Sequence, residues 1–243
     1  MNLKGKTALV TGGGTGIGLG IAQALSTAGC QVAIAGRRTE TLQEAAESWS
    51  GELSISYHSV DVAQRDSVQE LVDWAYDQWG RIDILVNSAG TNIKNRSVEQ
   101  MNPEQWDQVM AINVTGAYNC IRAVLPHMRK QEDGLIVNIN SISGLRAWEL
   151  GGVAYDASKF ALRGLGTVVG NEVRHLGIRV TNIYPGEVET PLLDKRPVAV
   201  SAEHRATILQ PNDVGEMVVT IAGLPARAHV PDLTIKPTRA EFV

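Results

Sequence analysis

Cysteine is nearly absent from this chain. Cys30 and Cys120 are the only two; they do not form a C-x-x-C pair and each sits in an apolar or helical context, which predicts reduced, mostly buried thiols and excludes a disulfide-stapled scaffold. No run of about eighteen apolar residues is present to span a bilayer. The first apolar stretch begins at Thr7 and leaves no room for a basic-then-apolar leader, so the expected location is cytoplasmic. Positive charge is scarce too: the formal net charge is −4, and the pairs Arg37-Arg38 and Arg129-Lys130 are too short and too far apart to form a stripe, which excludes nucleic acid as the expected partner. His58, His127, His175, His204 and His229 share no ligand spacing with cysteines or carboxylates, so no metal site is expected.

What the chain does have is length enough for one self-supporting core and a regular alternation of elements. A single domain over 1–243 is expected, without staples or a structural metal. Short β-branched runs fall near Thr7 to Val10, Gln31 to Ala35, Ser54 to His58, Ile82 to Val86, Leu135 to Ile139, Ile178 to Ile183 and Leu233 to Lys236. Helical patterns lie between them near Gly18 to Ala28, Thr41 to Trp49, Ser67 to Trp79, Pro103 to Met128, Tyr155 to Leu176 and Val214 to Leu224. Such alternation predicts an α/β fold of Rossmann type: a doubly wound, seven-stranded parallel sheet with helices on both faces. Asn102 before Pro103 marks one helix start, and Asp213 after Pro211-Asn212 is expected to cap another. The stretch 187–210 lacks clear periodicity and follows a strand; ligands in such sheets bind beyond the carboxyl ends of strands, so this stretch is expected to be a substrate lid.

The most informative run is Thr11-Gly12-Gly13-Gly14-Thr15-Gly16-Ile17-Gly18, directly behind the apolar Thr7-Ala8-Leu9-Val10. Glycines let the chain turn sharply after a strand and approach a pyrophosphate closely, and the amphipathic segment that follows offers its helix N-terminus to the negative charge. The G-x-G-x-x-G spacing fits no frame, nor is there a Gly-Lys-Ser/Thr; what fits is Thr-Gly-x-x-x-Gly-x-Gly.

Further along, Tyr155 and Lys159 stand at i, i+4 on one helix face, a spacing that pairs a phenol with a cation able to favour its ionised form. Upstream, the buried-strand pattern Ile136-Val137-Asn138-Ile139 runs into Asn140-Ser141-Ile142-Ser143, which puts hydroxyls at the carboxyl edge of the sheet. Asn87-Ser88-Ala89-Gly90 ends another strand, and Asn113 interrupts a helical pattern, a mildly unfavourable placement that calls for a task.

In this order and over nearly the whole chain, the motifs Thr11 to Gly18, Asp61-Val62, Asn87 to Gly90, Asn113, Ser141, Tyr155-x-x-x-Lys159 and Pro185-Gly186 with Thr190 resemble the short-chain dehydrogenase/reductase family, of the short, single-domain type. The resemblance implies four catalytic residues. Tyr155 would be the general acid in carbonyl reduction, Ser141 the holder of the carbonyl oxygen, Lys159 the residue that depresses the Tyr pKa and grips the nicotinamide ribose, and Asn113 the holder of a relay water. It implies a cofactor site of Gly12, Gly14, Thr15, Gly16, Ile17 and Gly18 at the phosphates, Asp61 and Val62 at the adenine, Asn87, Ala89 and Gly90 along the ribose and phosphate side, and Pro185, Gly186, Val188 and Thr190 at the nicotinamide. These roles suit the chemistry: with hydride supplied by a cofactor, a protein need only donate a proton and stabilise oxyanion charge.

The cofactor expected is NADP(H). An acidic residue about twenty positions past the glycine turn would select NAD, whereas this chain reads Ala35-Gly36-Arg37-Arg38, and Arg is the preferred phosphate partner. The expected reaction is hydride transfer between NADP(H) and a carbonyl or alcohol (ketone, aldehyde or 3-oxoacyl compound), by an oxidoreductase acting on CH-OH groups. A non-catalytic NADP(H)-binding sensor, or a lyase or isomerase on the same scaffold, stand as the alternatives. The partners expected are a small-molecule substrate and copies of the same chain, as homodimer or homotetramer.

Three departures from the family's pattern stand out: Ser88 in place of a second Asn, a Ser141-to-Tyr155 interval one residue longer than usual, and no glycine-rich tail after the last strand. The longer interval leaves Ser141 and Ser143 competing as carbonyl anchor; register with the strand favours Ser141. Ser143, together with Arg146 and Trp148 in the intervening loop, is a candidate for substrate contact.

Overall fold

The structure, a computed structural model, describes residues 2–241. Among them, seven strands form one parallel sheet in the order β3-β2-β1-β4-β5-β6-β7: β1 (Thr7–Thr11), β2 (Gln31–Gly36), β3 (Ile55–Ser59), β4 (Ile84–Asn87), β5 (Gly134–Ile139), β6 (Ile178–Pro185) and β7 (Asp232–Ile235). This is the doubly wound α/β fold, with the order reversing between β1 and β4. Central strands covered on both faces read as unbroken apolar runs, and β1, β4 and β5 are buried throughout, while the edge strand β3 buries only Ile55 fully.

The pleat divides the core. Ala8 and Val10 face the helices α1 (Gly16–Thr27), α2 (Thr39–Glu47) and α8 (Pro211–Ala222), joining Ile21, Leu25, Leu42 and Val218. Leu9 faces α3 (Arg65–Trp79), α5 (Gly116–Gln131) and α6 (Val153–Val173), joining Leu71, Ile121, Val124 and Val173. Each such aliphatic side chain contributes roughly 1.5–3 kcal/mol on burial, which is why this sheet needs no covalent staple. Cys30 and Cys120 are free and buried.

Two local expectations are corrected. Pro103 to Met128 is not one helix: α4 (Pro103–Met110) passes through a π-helical turn, Ala111–Thr115, into α5. The extra residue swings Asn113 inward, where it is 1 % exposed, and a wide turn of this kind marks functional positions in helices. Asn102 does cap α4, closing a capping box with Gln105 in which each accepts from the other's backbone N–H at 2.8 and 3.1 Å. Asp213, however, is not the cap of α8. Gln210 holds that position ahead of Pro211, and Asp213 lies inside the first turn, its carboxylate accepting from the Gln210 backbone N–H at 2.8 Å.

The stretch 187–210 is more structured than its aperiodic sequence suggests. Its ends pair, with Glu189 N–H donating to the Leu209 carbonyl at 2.8 Å and Leu209 N–H to that of Glu187 at 3.1 Å. Between them lie a 3-10 turn, Pro191–Lys195, and the short helix α7 (Ala202–Arg205). Ion pairs of Arg196 with Glu187 at 2.6 Å and of Arg205 with Glu189 at 2.8 Å brace the loop from within.

Candidate active site

The strand-to-helix connection after β1 explains its glycines. Gly12 has φ +66°, and a Cβ there would lie 2.7 Å from the backbone nitrogen of Ala89; at Gly18 it would lie 2.3 Å from the Gly12 carbonyl oxygen. Only bare backbone packs the turn against the loop after β4 and leaves the N-terminus of α1 open. What opens there is a cleft of about 660 Å³, within the range of small-molecule sites. It is lined by Gly12, Gly14, Thr15, Gly16, Ile17 and Gly18 at the turn, by Arg37 and Arg38 beyond β2, by Asp61 and Val62 beyond β3, by Ala89 and Gly90 beyond β4, and by Tyr155, Lys159 and Thr190.

Other expected residues lie off the cleft wall. Asn87 directs its amide sideways, donating to Asn138 Oδ1 at 3.0 Å; Asn138 donates to Asn182 at 3.2 Å and Asn182 to Asp232 at 3.3 Å. These four residues are in register on β4, β5, β6 and β7, so they form a hydrogen-bonded ladder across the sheet beneath the site. Pro185 and Gly186 end β6 beside β7, with Gly186 N–H donating to the Ile235 carbonyl at 2.7 Å, and Val188 is buried at the base of the loop 187–210. Asn113 is fully engaged: Oδ1 accepts from Thr91 N–H at 2.8 Å, and Nδ2 donates to the Thr91 carbonyl and to Ser158 Oγ, both at 3.0 Å. It ties the loop after β4 to the helix that carries Tyr155 and Lys159, and both amide hydrogens are spent in doing so.

Tyr155 and Lys159 stand on the first two turns of α6. Lys159 is buried, donates to the Ile139 carbonyl at 2.9 Å, and lies 5.5 Å from the centre of the Tyr155 ring. Burial pulls its ammonium down to about 8. Burial pushes the Tyr155 phenol above its usual range; Ser141, hydrogen-bonded to it, opposes the rise, Asp156 adds to it and the Arg96 charge opposes it. Raised in this way, the phenol is protonated at neutral pH, with the Lys159 ammonium 5.5 Å from the ring centre.

The two serines differ in their surroundings. Ser141 is part-exposed, faces the phenol, and accepts from Ser143 N–H at 3.1 Å. Ser143 is 2 % exposed and its hydroxyl is spent on the loop, accepting from Trp148 Nε1 at 3.0 Å and reaching Asp156. Asp156 also accepts from Trp148 N–H at 2.6 Å. Trp148 therefore clamps the loop, and Arg146 is exposed on it.

The sequence reading missed Thr91, Asn140, Leu192 and Lys195, all of which line the cleft. Asn140 is buried with an amide nitrogen that has no protein partner. Its place between the strand and Ser141 was the available signal. The cradle of bare glycine backbone, the open N-terminus of α1, the Asn140 donor and the two arginines together fit a dinucleotide. Among the described residues no three His, Cys, Asp or Glu side chains gather as for a metal ion, and no helix is long and apolar enough to cross a membrane.

Comparison with known proteins agrees with this geometry. A family profile described as short chain dehydrogenase matches residues 6–199. An uncharacterized oxidoreductase of Staphylococcus epidermidis is 31% identical over 235 residues, 97% of this chain and 98% of that one. A 3-ketoacyl-(acyl-carrier-protein) reductase from Brucella melitensis complexed with NADH superposes with a TM-score of 0.89 at 27% identity, covering 98% of this chain and 99% of its own. The closed form of a serine dehydrogenase complexed with NADP+ superposes with a TM-score of 0.88 at 29% identity, covering 97% and 96%.

Proposed function

This chain belongs to the short-chain dehydrogenase family, and on that footing we propose that it is an NADP(H)-dependent oxidoreductase that interconverts a small carbonyl compound and its alcohol. The observation that carries this reading is one cleft lined by Tyr155 and Lys159 as well as by Arg37 and Arg38, which have no carboxylate within ion-pair distance among the described residues. A bound nicotinamide would supply the hydride. Tyr155 donates its phenolic proton to the carbonyl oxygen during reduction, and Ser141 donates a hydrogen bond to the same oxygen as charge develops there. Lys159, on the same helix face and inside the cleft, grips the nicotinamide ribose; a sugar hydroxyl would replace part of its lost hydration. Asn113 holds the Thr91 loop and α6 in register, and the spare lone pair of its Oδ1 is what it offers to a relay water.

The preference for NADP(H) over NAD(H) is supported at Gly36. Its φ is not in the left-handed region, and a Cβ there would meet only Leu42 Cδ2 at 3.7 Å, an ordinary contact. A side chain would fit, so the missing carboxylate reflects the ligand and not the packing, and Arg37 and Arg38 beside it have no carboxylate within ion-pair distance among the described residues. We place the loop 187–210 as a lid over the substrate end of a single domain. The protein acts as a homodimer or homotetramer, a reading supported by exposed Tyr118, Phe160 and Val168 on the outer face of α5 and α6. Two free thiols suit a reducing cytoplasm.

The test is oxidation of NADPH and NADH against ketones, aldehydes and 3-oxoacyl thioesters, with Tyr155→Phe as control. Expected is turnover with NADPH in preference to NADH and a loss of about 10²–10⁴ in kcat on Tyr155→Phe with cofactor affinity retained. Full turnover in Tyr155→Phe overturns the mechanism. Cofactor binding without turnover on any carbonyl favours the sensor, and carbonyl turnover without cofactor oxidation favours the lyase or isomerase.

A further inference from the structure

We propose that Lys195 is an additional cofactor-binding residue, which reaches across the cleft from the lid to hold the pyrophosphate of the bound dinucleotide, so that the ligand itself fastens the lid. The proposal rests on the dinucleotide reading above. The 3-10 turn Pro191–Lys195 is fixed at both ends. At its start Thr190 packs against the glycine turn, where a Cβ on Gly16 would lie 3.1 Å from Thr190 Cγ2. At its end the Lys195 carbonyl accepts from Arg96 Nη2 at 3.2 Å, and Arg96 in turn donates from Nε to the Ile93 carbonyl at 3.0 Å and from Nη1 to that of Leu150. One arginine thus joins the lid to the loop after β4 and to the loop before α6.

From this turn the Lys195 stem runs over the surface, but its ammonium points inward and donates to Oγ1 of the buried Thr91 at 2.9 Å. Thr91 immediately follows the Ser88-Ala89-Gly90 wall that faces Gly12. The sheet order then decides which part of the ligand lies beneath. Arg37 follows β2 and Thr91 follows β4, with the glycine turn of β1 between them. A dinucleotide whose pyrophosphate sits on that turn passes under Lys195 there, whereas the adenosine ribose lies on the far side at Arg37 and Arg38.

Charge makes the same point. Arg196 and Arg205, neighbours of Lys195 on the lid, are paired with Glu187 and with Glu189 and Asp194. Lys195 has no carboxylate within ion-pair distance among the described residues, and its ammonium is pulled below its usual range by burial and by the charges of Arg37 and Arg38. Three like charges directed into one cleft repel one another until an anion with more than one charge lies among them.

The experiment is fluorescence titration of NADPH and NADH into the unmutated protein, Lys195→Gln, Lys195→Arg and Arg37→Ala, with limited proteolysis of the lid read alongside. Lys195→Gln should weaken both cofactors by the same factor, about tenfold or more, and reduce the protection that either gives the lid; Lys195→Arg should keep most of the affinity; Arg37→Ala should weaken NADPH alone. Unchanged affinities in Lys195→Gln, an equal loss in Lys195→Arg, or a loss confined to NADPH each overturn the pyrophosphate assignment while leaving the dinucleotide reading intact. Failure of the unmutated protein to bind either cofactor overturns both.

Discussion

At the scale of single residues, Ser141 and Ser143 stand two positions apart in different surroundings. Ser141 ends the strand in extended backbone, φ −167° and ψ 159°, part-exposed and beside the phenol, whereas Ser143 is turned inward to Trp148 and Asp156. Replacing Ser141 by Ala should remove a donor used in the transition state and cost on the order of 10²–10³ in kcat/KM. Replacing Ser143 by Ala should loosen the substrate loop and act chiefly on KM, by less than about tenfold, since a neutral hydrogen bond is worth only ~1 kcal/mol. Steady-state kinetics of the two variants on one carbonyl substrate checks this, and the opposite order would move the anchor to Ser143. Lys159 illustrates a different point. Its buried ammonium has the Ile139 carbonyl as its one hydrogen-bond partner among the described residues, and burial holds it near the edge of its charged range.

Among elements, the π-helical turn between α4 and α5 and the capping box at Asn102 are complementary devices. The turn breaks regular helix hydrogen bonding to deliver Asn113; the cap fixes where α4 begins, eight residues before the break. Asn102→Ala removes an acceptor for the Gln105 N–H and should cost about 1 kcal/mol, lowering the thermal midpoint by roughly 2–4 °C for a chain of this size. Because the cap is exposed and far from the cleft, kcat is expected to stay within about twofold, as for surface changes of ~0.5 kcal/mol or less at the site. Calorimetry with parallel kinetics checks both halves. A large loss of activity at unchanged midpoint would show that α4 sets the site directly.

For the molecule as a whole, the outer face of α5 and α6 stands apart from the rest of the surface. Val168 is 58% exposed and Tyr118 43% exposed, and a shallow groove between the helices is rimmed by Arg122, Arg129 and Glu172. An apolar strip carrying both signs of charge suits pairing with its own copy about a two-fold axis, because the same patch then meets itself and opposite charges can be brought together. Sedimentation is expected to find a dimer or a tetramer, and Val168→Glu to shift it toward smaller species, because a buried unpaired carboxylate would be left at the interface. A monomer in the unmutated protein at micromolar concentration defeats this reading.

The sequence by itself determined the sheet, the glycine turn and the Tyr155-Lys159 pair, because each is a local pattern: strands fully covered by helices are written as apolar runs, a phosphate cradle as glycines, and i, i+4 neighbours as one helix face. What only the tertiary structure decided involves partners distant in the chain. Asn87 serves the sheet because Asn138 and Asn182 stand beside it in register across two crossovers. Asn113 is spent on Thr91 and Ser158, 22 positions before it and 45 positions after it. Lys195 lies in an aperiodic stretch whose charges look alike in sequence; folding pairs Arg196 and Arg205 and directs Lys195 into the cleft. Periodicity records which face of an element is buried, but which charge finds a partner is settled only when distant loops meet at the end of the sheet.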